Sequence, residues 1–139
     1  LASYGNVDDT GNMINPMIVE GQIKGGIAQG AGQVLLEQSV YDSEGQLLTA
    51  SFMDYAMPRA DDLPLIQSST FTDAPCLTNP LGAKGVGEIG TVGSIPTIAN
   101  AILDALWDQG VRKFDMPAYP QKIWALIQDA KNLRQKLFC

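Results

Sequence analysis

The chain has no histidine. Any proton chemistry in it must therefore fall to a carboxylate, Lys, Tyr or Cys. It has only two cysteines, Cys76 and Cys139, in 139 residues. Two cysteines in a chain of this size do not make a disulfide framework. Both read as free thiols in a reducing compartment, which points to a cytoplasmic protein. No run of 18 apolar residues occurs and no signal peptide is visible, so neither a spanning helix nor a leader is expected. Basic runs are absent as well. The net charge is −6, and Lys131, Arg134 and Lys136 are interleaved with Asn, Leu and Gln as on a solvated helix face. No nucleic-acid partner is expected. Repeats and low-complexity segments are also missing. The first residue is Leu1 rather than Met, which reads as trimming, processing or derivation from a longer chain.

What is present suits a globular protein: 45% of the residues are apolar and 17% charged. The length predicts a single domain over 1–139. Asn15-Pro16 is a helix start, with Asn as N-cap and Pro at the first helical position. From Met17 to about Gln38 the pattern is helical, with Ile23, Ile27, Ala31, Val34 and Leu35 on one face. Gly21, Gly25, Gly26, Gly30 and Gly32 interrupt this helix, at a cost of about 4–5 kcal/mol relative to Ala. At about 100° per residue, Gln22, Gly26, Gln29 and Gln33 gather opposite the isoleucines, with Gly25 on the flank. Such a low, amide-lined face serves either close packing against another element or a polar ligand.

Val40-Tyr41, Asp42–Gly45 and Gln46–Leu48 read as strand, turn and strand, and the chain is expected to run on extended to Ala56. Leu65 to Thr72 reads as a further strand. Residues 72–93 form a long irregular connection, the kind usually found with a function. A helix is predicted from Ser94-Ile95-Pro96, stopped by Gly110. Val111 to Phe114 reads as a short strand, and a last helix starts at Pro120. The fold class is α+β: helices packed on a small mixed or antiparallel sheet, with a long glycine-rich loop.

That loop contains Gly85-Val86-Gly87-Glu88-Ile89-Gly90, a match to G-x-G-x-x-G. A dinucleotide fingerprint needs a strand before it, a helix opening inside it, and an acidic residue ending a second strand about 20 positions on. Turn residues, Asn79-Pro80-Leu81-Gly82, precede it instead. Asp108 has the right count but falls at a predicted helix end, and Glu88 would put negative charge where pyrophosphate sits. A nucleotide-binding module is therefore disfavoured. One carboxylate mounted among glycines is a candidate base.

Asn15-Pro16, Glu20-Gly21-Gln22, Gly25-Gly26, Gln29-Gly30, Asp54-Tyr55, Asp61-Asp62-Leu63-Pro64, Asn79-Pro80-Leu81-Gly82 and Lys84-Gly85-Val86-Gly87-Glu88 follow one another in order. The series resembles the C-terminal end of the molybdopterin-binding large subunit of the xanthine dehydrogenase, aldehyde oxidase and carbon monoxide dehydrogenase family. It runs from about Gly5 to Gln128. The resemblance implies a molybdenum hydroxylase, in which a metal-bound hydroxide attacks an electrophilic carbon and the oxygen comes from water. It implies that Glu88 is the base acting on that hydroxide, and a partly buried carboxylate suits the role. It places Gln22 against the pterin cofactor, with Gly25, Gly26 and Gln29 as neighbours, and Lys84, Gly85, Val86 and Gly87 as the loop that carries the base. No residue is assigned as a direct metal ligand. Lys24 departs from many members, which have His there.

The family's large subunit is several times longer. The resemblance therefore implies a shared molybdopterin-type cofactor, with the rest of the subunit and iron–sulfur and FAD subunits as partners. Alone, the chain is expected to bind no cofactor and to be inactive, and the surface its partner left bare implies self-association or an obligate partner. The competing reading is a non-catalytic remnant acting only as a folded interaction module.

Overall fold

The computed structural model describes residues 1–137. Cys139, expected as a free thiol, lies outside the described residues, whereas Cys76 is free. The elements are strand β1 (Tyr4–Asp9), helix α1 (Pro16–Leu35), strand β2 (Ile66–Phe71), helix α2 (Ile89–Leu106) and helix α3 (Pro120–Leu137), with short 3₁₀ turns at Ala60–Asp62 and Trp107–Gln109. The class is α+β, with three helices and one two-stranded sheet among the described residues. The described residues divide into two compact units, residues 1–30 with 58–94, and residues 31–57 with 95–137.

In the first unit β1 and β2 run parallel, in register from Tyr4 opposite Ile66 to Asp9 opposite Phe71. The strand expected over Leu65–Thr72 is present as β2, but the sheet is parallel rather than mixed or antiparallel. β1 went unread because its sequence, Tyr-Gly-Asn-Val-Asp-Asp, carries little strand propensity. Pairing with β2 overrides that. Asn6 Nδ2 donates across the ladder to Ser68 Oγ at 3.3 Å and along the strand to the Asp8 carboxylate. α1 opens as its sequence demands. The Asn15 side chain accepts from the Ile18 amide at 3.2 Å, which satisfies one of the helix's orphan donors. Val19, Ile23 and Ile27 are buried at i, i+4 spacing.

The second unit centres on Leu106, Val111 and Ala130, against which Ile102, Ile123, Leu126 and Ile127 pack. Gly110 holds φ +91°, the left-handed cap predicted for it. Arg112 lies 3.9 Å over the Trp107 ring, and Arg134 donates to the Asp108 carbonyl at 3.0 Å. The expected strand–turn–strand around residue 44 is reduced to one bridge, Tyr41 with Leu47. Its turn is tied by Asp42 Oδ1, which accepts from the Glu44 and Gln46 amides at 2.9 Å. Residues 51–55 are turns rather than extended chain, because Ser51 accepts from Asp54 and Tyr55 through its carbonyl. Val111 to Phe114 forms no strand.

α2 begins at Ile89, not at Ser94. Pro96, which looked like a first-turn residue, sits inside the helix, and the irregular segment before α2 ends five residues earlier than expected. The stretch Ile89–Gln109 has the length and apolar composition of a membrane-crossing helix. Core helices of globular proteins pass the same test.

Candidate functional site

The residues before α2 are stitched to the end of β1. Gly11 and Ala83 form an antiparallel bridge. The Asn12 amide donates to the Gly82 carbonyl at 3.0 Å, and the Lys84 amide to the Thr10 carbonyl at 3.1 Å. Gly82 has φ +65°, and a Cβ there would lie 2.7 Å from Asn12 Nδ2, so only glycine fits. Lys84 Nζ pairs with Asp9 Oδ2 at 2.5 Å. It is thus not a free surface cation. The Lys84 ammonium, together with the Gly11 amide, holds the Asp9 carboxyl below the usual aspartate range.

From Lys84 the chain alternates. Lys84 and Val86 line an apolar groove beside the start of α1. Gly85 and Gly87 are exposed and face open space. At Gly87 the chain reaches α1, where Gln22 Nε2 donates to the Gly87 carbonyl at 2.7 Å. Glu88 follows at the N-cap of α2, its carbonyl accepting from the Thr91 and Val92 amides at 3.0 and 3.1 Å. Glu88 is exposed, which corrects the expectation of a partly buried carboxylate.

The first turn of α2 is pressed onto α1. A Cβ on Gly90 would lie 2.2 Å from the Ile23 carbonyl oxygen, and one on Gly26 would lie 2.9 Å from the Thr91 amide nitrogen. Thr91 Oγ1 lies 3.1 Å from the Gly26 carbonyl and 3.2 Å from Gln29 Oε1, its one proton serving two acceptors. Ser94, fully buried, donates to the Thr91 carbonyl at 3.2 Å. Gly26 is therefore a helix-packing glycine, one of the two readings its helical position left open. Gly25 is exposed, and a Cβ there would meet nothing within 4 Å.

The structure thus brings Gln22, Gln29, Gly87 and Glu88 together around the start of α2. Gly25 lies exposed on α1, Lys84 and Val86 line the groove, and Gly26 is buried in the packing. Lys24 pairs with Glu20 one turn back on α1. Sequence reading missed Gly90 and Thr91, which clamp α2 to α1. Their signal was present, a small residue and a hydroxyl just after Glu88, but placing the helix start at Ser94 hid it. The helix opening inside Gly85–Gly90 meets one requirement of a dinucleotide fingerprint. The preceding strand is still missing, with only the Ala83 bridge in its place.

A family model described as the molybdopterin cofactor-binding domain matches residues 1–64. The 6-hydroxypseudooxynicotine dehydrogenase complex subunit gamma of Paenarthrobacter nicotinovorans is 42% identical over 92% of this chain and 16% of its own. The carbon monoxide dehydrogenase large chain of Hydrogenophaga pseudoflava is 41% identical over 88% of this chain and 15% of its own. The crystal structure of quinoline 2-oxidoreductase from Pseudomonas putida 86 superposes with a TM-score of 0.85 at 43% identity, over 91% of this chain and 16% of that one. The chain spans less than a fifth of the length of the relatives it matches. By sequence and by fold it is a segment of the molybdopterin-binding large-subunit family that includes carbon monoxide dehydrogenase, nicotine hydroxylase and xanthine dehydrogenase.

Proposed function

We propose that this chain supplies the proton-accepting carboxylate and part of the cofactor wall of a molybdenum hydroxylase acting on an aldehyde, an N-heterocycle or carbon monoxide. The observation that carries the reading is the 2.7 Å bond from Gln22 to the Gly87 carbonyl, which fixes Glu88 beside an amide-lined, glycine-open face of α1.

The residues fit a large, flat, polar cofactor. Gly25, Gly85 and Gly87 have no positive φ, and no packing neighbour forbids a side chain at any of them. Nothing within the segment calls for glycine there, and one of the three, Gly87, directly precedes Glu88. A group laid against this face does call for it, since a Cβ would hold the backbone away. Gln22 and Gln29 supply amide groups along the same face. When bound, the cofactor supplies the oxidising centre at which oxygen from water is transferred to the substrate carbon. Gln22 holds the loop by its Nε2. Gly90 and Thr91 hold α2. Glu88 takes a proton at its carboxylate oxygen. The exposure of Glu88 leaves the exclusion of water to the rest of the subunit. That remainder, with iron–sulfur and FAD subunits, completes the enzyme. The segment alone is inactive because its one base has no acid to act on.

Gly25→Val tests the wall. Valine at this open helix position keeps the stability close to that of glycine, since both are poor helix formers. The assembled subunit should purify in normal yield but with at least several-fold less molybdenum per polypeptide. Unchanged molybdenum content would remove Gly25 from the cofactor wall.

A further inference from the structure

Thr10, at the end of β1, carries a buried hydroxyl with nothing to bond. The residue is 2% exposed, and Oγ1 has no hydrogen-bond partner. Its backbone is fully engaged, the amide donating to Phe71 and the carbonyl accepting from Lys84. Buried polar groups are almost always paired, so an orphan of this kind asks for a partner. Thr10 lines a groove of about 290 Å³, together with Asn12, Ile14, Ile18, Val19 and Val86. Its walls are aliphatic and bare: Ile14 is 77% exposed and Ile18 63%. Lys84, the one charge on its rim, is already paired with Asp9. A charged small molecule would find no unpaired countercharge here.

We propose that this groove receives an extended segment of the remainder of the large subunit. The occupant seats one apolar side chain between Ile14, Ile18 and Val86 and turns one backbone polar group to Thr10 Oγ1. The inference rests on the reading that this segment works within a complete subunit. That subunit supplies the occupant: in a 42% identical relative, the matching stretch is only 16% of the polypeptide. Of the loop before α2, the groove is lined by Ala83, Lys84 and Val86 and by neither Gly85 nor Gly87. Seating a segment there anchors the chain that leads to Glu88.

The test places the photo-crosslinker p-benzoylphenylalanine at Ile14 or at Ile18 in the complete gene product, followed by irradiation and peptide mapping. The expected crosslink joins the groove to a residue of the same polypeptide outside these 139 residues. Crosslinks solely to a second copy, to another subunit or to no polypeptide overturn the proposal. Thr10→Val and Thr10→Ser give a second readout in the same protein. Valine should lower the Tm by several degrees and serine should restore most of the loss; a valine variant as stable as the parent or more so overturns the proposal. A subunit that crosslinks as expected yet holds no molybdenum would sink the catalytic reading and leave this one standing.

Discussion

Two glycines on one face of α1 have opposite meanings. Gly26 is glycine because Thr91 and Gly90 of α2 sit where its Cβ would be, and Gly90 is glycine because the Ile23 carbonyl sits where its own would be. Gly25, one position away, faces open space. Gly90→Ala should therefore cost about 1–3 kcal/mol or more, overpacking outweighing the gain in helix propensity. Gly25→Ala should stabilise by about 0.5–1 kcal/mol. Urea unfolding of the two variants checks both signs, and equal shifts would mean the close approach of α1 and α2 is not as described. The angular arithmetic of the sequence found this face and its amides. It did not separate Gly25 from Gly26, because that distinction depends on which partner lies over each, and a helical wheel holds no partner. The Asp9–Lys84 pair is a second residue-scale device. Asp9 is held below its ordinary value, first by the hydrogen bond from Lys84. The folded chain thus keeps Asp9 ionised to lower pH than an unfolded aspartate, whose pKa is about 3.9. The pair's contribution is complete well above that value and fades as the pH falls through it and below. Comparison of the parent with Asp9→Asn should show a stability gap at pH 6 that narrows towards pH 3. A gap of constant size would show that the charge on Asp9 is not what the fold uses.

At the scale of elements, the loop before α2 is a fixed mount rather than a flexible one. It is bridged to Gly11 at Ala83, bonded to Thr10 at Lys84 and held by Gln22 at Gly87. Loss of the last contact, in Gln22→Leu, should cost about 0.5–1.5 kcal/mol. Its signature is local: faster amide exchange over residues 87–92, with β1 and β2 unchanged. Equal acceleration across the whole chain would mean that Gln22 supports the fold at large and not the loop. α1 and α3 were legible because apolar periodicity and Asn15-Pro16 and Pro120 all point the same way. β1 was not, because Asn6, Asp8 and Asp9 are poor strand formers kept extended by β2. The start of α2 was misread because Pro96 favours a first turn yet sits in the helix interior, while Gly90 and Gly93 weaken the true first turn. Glu88 stands out in the sequence through its glycine setting and through the resemblance. Its clamp, Gly90 and Thr91, was out of reach without the contact between helices.

At the scale of the molecule, several large apolar side chains stand exposed: Leu77 is 93% exposed, Met53 96% and Phe52 87%. We expect the rest of a complete subunit to cover them, since the matching stretch is only 16% of a relative. Hydrogen exchange of residues 52–57 and 77–81 should be slower in the complete subunit than in the segment alone, and equal rates would mean these side chains are bare in the assembled protein as well. The central claim remains that this segment carries the base of a molybdenum hydroxylase at Glu88. The direct measurement is turnover of assembled Glu88→Gln enzyme, with molybdenum content determined on the same sample. Glutamine keeps the shape and removes the proton acceptor, so the rate should fall by about 10²–10⁴-fold at unchanged metal content. A variant that holds its molybdenum and turns over at the parental rate would contradict the account.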